Sequence, residues 1–376
     1  MTPIRLGFVG LSSSGWASST LAAPLFQPPL SSKYHVVAVS TSNSDSATES
    51  AKKYSKLGSK ATGQDIEVKA YYGSTEHISA DSDVDMVAVS IKTMMHKEAA
   101  LKVIEAGKDL FLEWPVGKDA KETEELYEAA KKKGIKSLIG TQIRASSFVR
   151  EVKSIVDSGK IGRVLSTTLI VSYTHDVLGT WGKYIIPAQT YLLDASNGAG
   201  LLDIGAGHPL DMFQYVLGPI ASLSSTTYNP YPEAIVVSYP DRNPTGEKVL
   251  QDIPTLAAAS GLLHNNAVFS LLFQSGVAKD AVGFLWLLDG EEGNIRIEDT
   301  KNVFFQTDPD VFLNGHKVDF EKEEDDYARV RRPWESFADG RVDEYPSLED
   351  ALRTRRVVDA IKESAITGEN VVVHPV

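Results

Sequence analysis

Apolar and polar positions along the chain change period several times, and those changes mark out its elements. Short runs rich in β-branched residues near Arg5 to Gly10, His35 to Val39, Val84 to Ile91, Leu110 to Glu113 and Ser137 to Thr141 have the length and make-up of buried strands. Between them, Lys97 to Ala106 and Lys121 to Lys133 carry apolar residues at helical spacing, with Leu126, Ala129 and Ala130 on one side of the second. Asp119 offers that helix an N-cap and Gly134 a stop. Alternation of this kind predicts a parallel sheet covered by helices. Ser40 to Ser59, rich in Ser, Lys and small residues, reads as a surface loop and an exposed helix, and Ser146 to Ser158, ended by Gly159, as a bridging helix. Beyond Gly162 strands follow one another with few helices: Val164 to Tyr173, Leu223 to Tyr228, Ala267 to Phe273, Val282 to Leu288 and Asn294 to Ile297. That pattern predicts a largely antiparallel sheet. Helices are expected near Pro209 to Leu217 and from Leu348 to Thr367, and Asn229 to Thr255 reads as a long loop or excursion.

Composition changes this picture in three ways. A chain of 376 residues exceeds one ordinary core and predicts two domains, divided here into 1–142 and 143–376. The net charge of −12 repels phosphate backbones and anionic lipid, so direct nucleic-acid or membrane-surface binding is not expected. The dense basic run, Lys131 to Lys133, closes a helix, where cations suit the dipole. The absence of cysteine excludes disulfides, thiolate metal sites and a cysteine nucleophile. The segment from Met1 to Gly10 reads as a core strand and lacks the features of a signal peptide, which predicts a cytoplasmic or nucleocytoplasmic protein.

Candidate chemistry begins after the first strand. Gly10-Leu11-Ser12-Ser13-Ser14-Gly15 is a G-x-G-x-x-G loop with Ser12 at the second glycine, followed by Trp16. Its place between a strand and an expected helix, in the first βαβ unit, predicts a pyrophosphate site and hence a Rossmann domain binding NAD or NADP. The second strand ends in Thr41 and Ser42 with no acidic residue to grip an adenosine ribose, which tilts the expectation towards NADP or dual use, although no arginine follows. Serines capping a loop are the alternative reading.

These residues, with Asp83 to Val89 leading to His96, Ala106 to Pro115, Asp157 to Gly162, Gly198 to Gly205 and Ser347 to Arg353, resemble the glucose-fructose oxidoreductase and inositol dehydrogenase (Gfo/Idh/MocA) family over nearly the whole chain. The resemblance implies an α/β Rossmann domain plus an α+β domain with a large open, mainly antiparallel sheet for substrate and oligomerisation. It implies a homodimer, and dinucleotide contacts from Gly10, Ser12, Ser13, Gly15, Trp16, Thr41, Ser42, Ile91, His96, Glu113, Trp114 and Gln142. Two departures stand out. Family enzymes carry Glu-Lys-Pro where this chain reads Glu113-Trp114-Pro115, and an indole cannot act as a general acid. The substitution resembles the fungal subgroup around the yeast galactose-pathway corepressor, which binds a dinucleotide and regulates transcription through a protein partner. Asp203 to Asp211 is also one residue longer before its histidine than the family pattern.

His208, at an expected helix start before Pro209, suits acid or base work near neutral pH; capping or packing is the other reading. Asp203 either orients His208, binds a substrate hydroxyl, or belongs to a turn. Lys183 and Tyr191 fall in a loop expected to overhang a pocket, as catalytic or surface groups. His175-Asp176 and His208 with Asp211 have metal-ligand chemistry but no third ligand at recognisable spacing, so no metal site is expected. The expected activity is hydride transfer to or from a sugar, polyol or related small molecule, and the alternative is a catalytically inactive dinucleotide-binding regulator with a protein partner.

Overall fold

The computed structural model describes residues 2–174, 181–278, 280–299 and 308–376. The chain divides into two compact units, the first comprising 1–117, 121–145 and 324–352, the second 118–120, 146–323 and 353–376.

In the first unit six strands, β1 (Ile4–Val9), β2 (Tyr34–Thr41), β3 (Lys69–Tyr72), β4 (Met86–Val89), β5 (Asp109–Leu112) and β6 (Ser137–Ile139), form a sheet in the order β3-β2-β1-β4-β5-β6. Every pairing is parallel. Helices α1 (Ser44–Thr62), α2 (Thr75–Ser79), α3 (His96–Glu105) and α4 (Ala120–Lys133) connect them. Such sheets are apolar on both faces, and here Phe8, Met86, Ala88, Phe111 and Leu138 belong to one core while Val87, Val89, Leu110, Leu112 and Ile139 belong to another. Because β1 and β4 are neighbours while their connections run to opposite sides, the sheet has its topological switch point at their carboxyl ends, where ligands bind in such folds. Gly10 makes the close approach possible there: its φ is +86°, and a Cβ would lie 2.0 Å from the Ser90 carbonyl oxygen.

Among its described residues the second unit contains α5 (Ser147–Asp157), α6 (Gly207–Leu217) and twelve strands: β7 (Val164–Thr174), β8 (Tyr184–Ile185), β9 (Ile220–Tyr228), β10 (Glu233–Val237), β11 (Pro244–Leu250), β12 (Leu256–Leu263), β13 (Val268–Val277), β14 (Phe284–Gly290), β15 (Asn294–Asp299), β16 (Asp310–Leu313), β17 (His316–Lys317) and β18 (Val371–Val372). Nine form a mixed, mostly antiparallel sheet in the order β17-β16-β15-β14-β7-β13-β12-β9-β18, with β7 and β13 parallel. Phe213 of α6 packs its ring 6.0 Å from those of Phe269 and Trp286, so one face of the sheet is covered by aromatic packing. The segment after Asn229, expected to be a long loop or excursion, is an excursion that holds β10 and β11, which pair with β8 in a separate three-stranded sheet. The chain then re-enters the first unit as α7 (Ala328–Ala338), whose Trp334 stacks on Phe111 at 4.7 Å and meets Tyr34 edge-on at 5.2 Å. The last helix, α8 (Leu348–Thr367), begins in the first unit and ends in the second.

Candidate active site

The first unit has a cleft of about 580 Å³ along the carboxyl ends of β1, β2, β3 and β4. Gly10, Ser12, Thr41, Ser42 and Ile91, all named from the sequence, line it. The structure adds Ser40, Ser46, Ser74, Thr75, Lys92, Glu98 and Lys102, together with apolar Val9, Met95 and Ala99, so hydroxyls and charged groups are set into a largely apolar lining. Ser13 and Gly15 lie in the same loop. That loop opens into a single π turn, Ala17–Leu21, followed by 3₁₀ turns, rather than the regular helix the sequence predicts.

Three consecutive carbonyls of the loop are engaged by one neighbouring helix, α1. Leu11 O accepts from Ser50 Oγ at 2.5 Å, Ser12 O from Tyr54 Oη at 3.0 Å, and Ser13 O from Lys53 Nζ at 2.8 Å. Carbonyl and following amide are antiparallel across a peptide plane, so the amides of Ser12, Ser13 and Ser14 face the other way. Among the described residues those amides meet no acceptor. Successive free amides of this kind make an anion-binding concavity. Such a concavity has the donors a diphosphate needs, and the cleft beside it offers hydroxyls for a ribose and apolar surface for a base.

Beyond β5 the surroundings change. Glu113 is 9% exposed, and Gly140 lies so close beneath that a Cβ there would touch its carboxyl at 2.8 Å. Burial pushes the Glu113 carboxyl up to about 8, although it accepts hydrogen bonds from the Trp114 amide, the Trp16 indole and Gln142 Nε2, the last at 3.2 Å. Thus Trp16, Glu113 and Gln142 meet in one network. Trp114 is 5% exposed and packs in the apolar core with Val89, Leu112 and Ile139. His96, 1% exposed, places Nδ1 2.7 Å from Pro115 O and Nε2 3.0 Å from Ile91 O, tying the loop after β4 to the loop after β5.

In the second unit His208 opens α6 beside Pro209, partly buried, and loss of water holds its imidazolium pKa down at about 4. It is therefore a neutral ring at pH 7. Asp203, 2% exposed, is committed to cations: Oδ1 lies 2.7 Å from Arg355 Nη1 and 2.6 Å from Lys362 Nζ, while Oδ2 accepts from the Gly200 amide at 3.0 Å. This ion cluster holds the turn Leu201–Gly205 that leads to His208. Lys183 is exposed, with its ammonium 5.3 Å from the Tyr184 ring centre. Tyr191 is partly buried, its carbonyl accepts from Asn197 Nδ2 at 2.9 Å, and burial keeps its phenol protonated. His175 and Asp176 lie outside the described residues. Among the described residues no three His, Asp or Glu side chains gather as a metal-binding group.

Two family models match in tandem. Residues 4–141 match an oxidoreductase family with an NAD-binding Rossmann fold (GFO_IDH_MocA), and residues 147–299 match the C-terminal domain of Gal80p. The N-terminal part of the chain is thus similar to the Gfo/Idh/MocA family and the part that follows to Gal80p. The chain is 28% identical over 373 residues to dehydrogenase aclE of Aspergillus oryzae, with 97% of each chain covered. It is 26% identical over 309 residues to the galactose/lactose metabolism regulatory protein GAL80 of Saccharomyces cerevisiae, covering 79% of this chain and 67% of the yeast protein. Its fold matches a super-repressor mutant of Gal80p from S. cerevisiae with a TM-score of 0.84 at 21% identity, covering 99% of this chain and 98% of the other. It also matches levoglucosan dehydrogenase in complex with NADH and L-sorbose, with a TM-score of 0.76 at 20% identity and full coverage of both chains.

Ser50, Lys53 and Tyr54, which shape the loop from a neighbouring helix, were not picked out in the sequence. Their i, i+3, i+4 spacing on a segment otherwise full of Ser and Lys was the signal available.

Proposed function

We propose that this protein is an NAD(P)-dependent oxidoreductase acting on a hydroxyl or carbonyl of a sugar, polyol or related small molecule. The observation that carries the reading is the run of outward amides from Ser12 to Ser14 at the mouth of the hydroxyl-lined cleft, a built receptor for a dinucleotide. The nicotinamide, when bound, exchanges a hydride with the substrate carbon. His208 is the acceptor assigned to the hydroxyl proton during oxidation, although burial, by holding its imidazolium pKa at about 4, makes it a weaker base at pH 7 than the sequence expectation of acid–base work near neutral pH requires. Asp203, held by Arg355 and Lys362, is a positioning residue for the turn before His208. Tyr191 and Lys183 supply substrate hydrogen bonds rather than proton transfer. Glu113, Gln142 and Trp16 shape the nicotinamide side.

At the adenosine end the absence of a carboxylate at Thr41 and Ser42, with Lys102 on the same wall, supports use of NADP(H) as well as NAD(H). A homodimer is supported by the row Leu285, Ile170, Leu272, Ala258 and Thr226, in register across five strands of the large sheet, small or apolar and partly or fully exposed. Light scattering checks it. No helix among the described residues is long and apolar enough to cross a membrane, which accords with a cytoplasmic or nucleocytoplasmic location.

The test is absorbance of the NAD(P)H band with a panel of sugars, polyols and ketones. Turnover is expected, falling about 100-fold in His208→Gln with dinucleotide affinity unchanged. One observation favours a second reading: Trp114 lies buried in apolar packing where family enzymes carry lysine, as in a retired active site. Dinucleotide binding without turnover on any of the panel would establish the regulator, with a protein partner, instead.

A further inference from the structure

A dinucleotide loop of this type ordinarily draws part of its anion affinity from the helix it opens, whose summed peptide dipoles place positive charge at its start. Here the loop opens into five residues of π geometry, Ala17–Leu21, and then into short 3₁₀ turns. So short a segment sums few dipoles. A compensating source of positive charge stands on the other side of the loop.

Helix α1, nineteen residues long, turns one face to the loop. Ser50 and Tyr54 are buried on that face, and Lys53 is partly buried between them. Lys53 Nζ lies 2.8 Å from Ser13 O and 2.7 Å from Ser18 Oγ, and 5.0 Å from the centre of the Tyr54 ring. Tyr54 Oη donates to Ser12 O at 3.0 Å and lies 2.9 Å from Ser18 Oγ. Among the described residues no carboxylate pairs with Lys53, so its charge reaches the loop uncancelled. Ser50 takes the next carbonyl, that of Leu11. Three consecutive carbonyls are thus drawn to one helix, and three consecutive amides are turned out.

We propose that Ser50, Lys53 and Tyr54 form a brace that sets the loop's affinity for the dinucleotide diphosphate, with Lys53 as its counter-charge. Lys53 acts from behind the loop, through the Ser13 peptide, and is a positioning residue rather than a direct ligand. The inference rests on the dinucleotide reading above but concerns α1, which that reading does not use.

The experiment is titration of the full-length protein with NADH and NADPH by fluorescence at several salt concentrations, alongside inorganic pyrophosphate as a separate ligand by calorimetry. Lys53→Met should weaken dinucleotide binding about tenfold and flatten its salt dependence, while Lys53→Arg restores most of the affinity. Tyr54→Phe should weaken binding about threefold, and both variants should melt within a few degrees of the parent. A merely structural role would move the melting temperature and leave the salt slope alone. Unchanged affinity and salt slope in Lys53→Met and Tyr54→Phe, with the parent protein binding a dinucleotide, overturn the inference. Should the parent bind neither dinucleotide, the functional reading fails on its own; pyrophosphate binding that Lys53→Met abolishes would still uphold the brace, and its survival in that variant would overturn it.

Discussion

Glu113 and Asp203 are both buried carboxyls, yet their surroundings give them opposite characters. Glu113 meets only neutral donors, and burial raises it from an ordinary value of 4.5 to about 8. Its native form therefore holds a proton that the unfolded chain has released, so stability is greatest below about pH 4.5 and declines until pH passes about 8. Glu113→Gln should then be neutral near pH 4.5 and stabilising by up to about 5 kcal/mol near pH 9, as read from urea midpoints at the two values. Asp203 sits against Arg355, itself 1% exposed, and Lys362. Asp203→Asn leaves the buried guanidinium with Asp359, 3.2 Å from its Nε, as remaining counter-ion, and should cost about 2 to 3 kcal/mol, measured by urea unfolding of the second unit. The sequence offered no means to tell these two apart, because the distinction depends on cations that stand more than a hundred residues further along the chain. Trp114 was legible as a substitution, but that its indole joins an apolar core was not.

At the level of elements, close approach decides more than pattern does. Gly10 lets β1 and β4 converge, and Gly10→Ala should put a methyl against the Ser90 carbonyl and abolish dinucleotide binding, with loss of soluble yield as the structural check. This glycine was legible, because a strand followed by Gly and small polar residues has few other meanings. Five of the six parallel strands were legible too, since burial on both faces leaves unbroken apolar runs; β3, mostly exposed at the sheet edge, was not. Strand β11 was not: its residues are nearly all exposed, so no alternation marks it. Helix α7 was hidden for another reason, as Pro333 lies inside it and proline ordinarily signals a helix boundary. The brace on α1 escaped notice because a Ser- and Lys-rich helix reads as solvent-facing. Its useful face is polar for a reason, since those side chains bond a neighbouring loop instead of water.

For the molecule as a whole, a ligand that binds only the folded state must stabilise whatever part carries its site. NADPH at a hundred times its dissociation constant should raise the stability of the first unit by about 2.7 kcal/mol, and calorimetry should show the transition carrying β1 to β6 moving upward. The return of the chain through α7 bears on how that unit comes into being. Trp334 is stacked on Phe111 and edge-on to Tyr34, and Val330 and Phe337 belong to the same core. During synthesis on the ribosome, therefore, the dinucleotide half emerges first but is completed almost last, waiting with an uncovered aromatic flank until some two hundred residues of other structure have been made. A nascent chain stalled after Ala145 would present that flank to chaperones, and a gene truncated there would encode an aggregating fragment rather than a smaller nucleotide-binding protein.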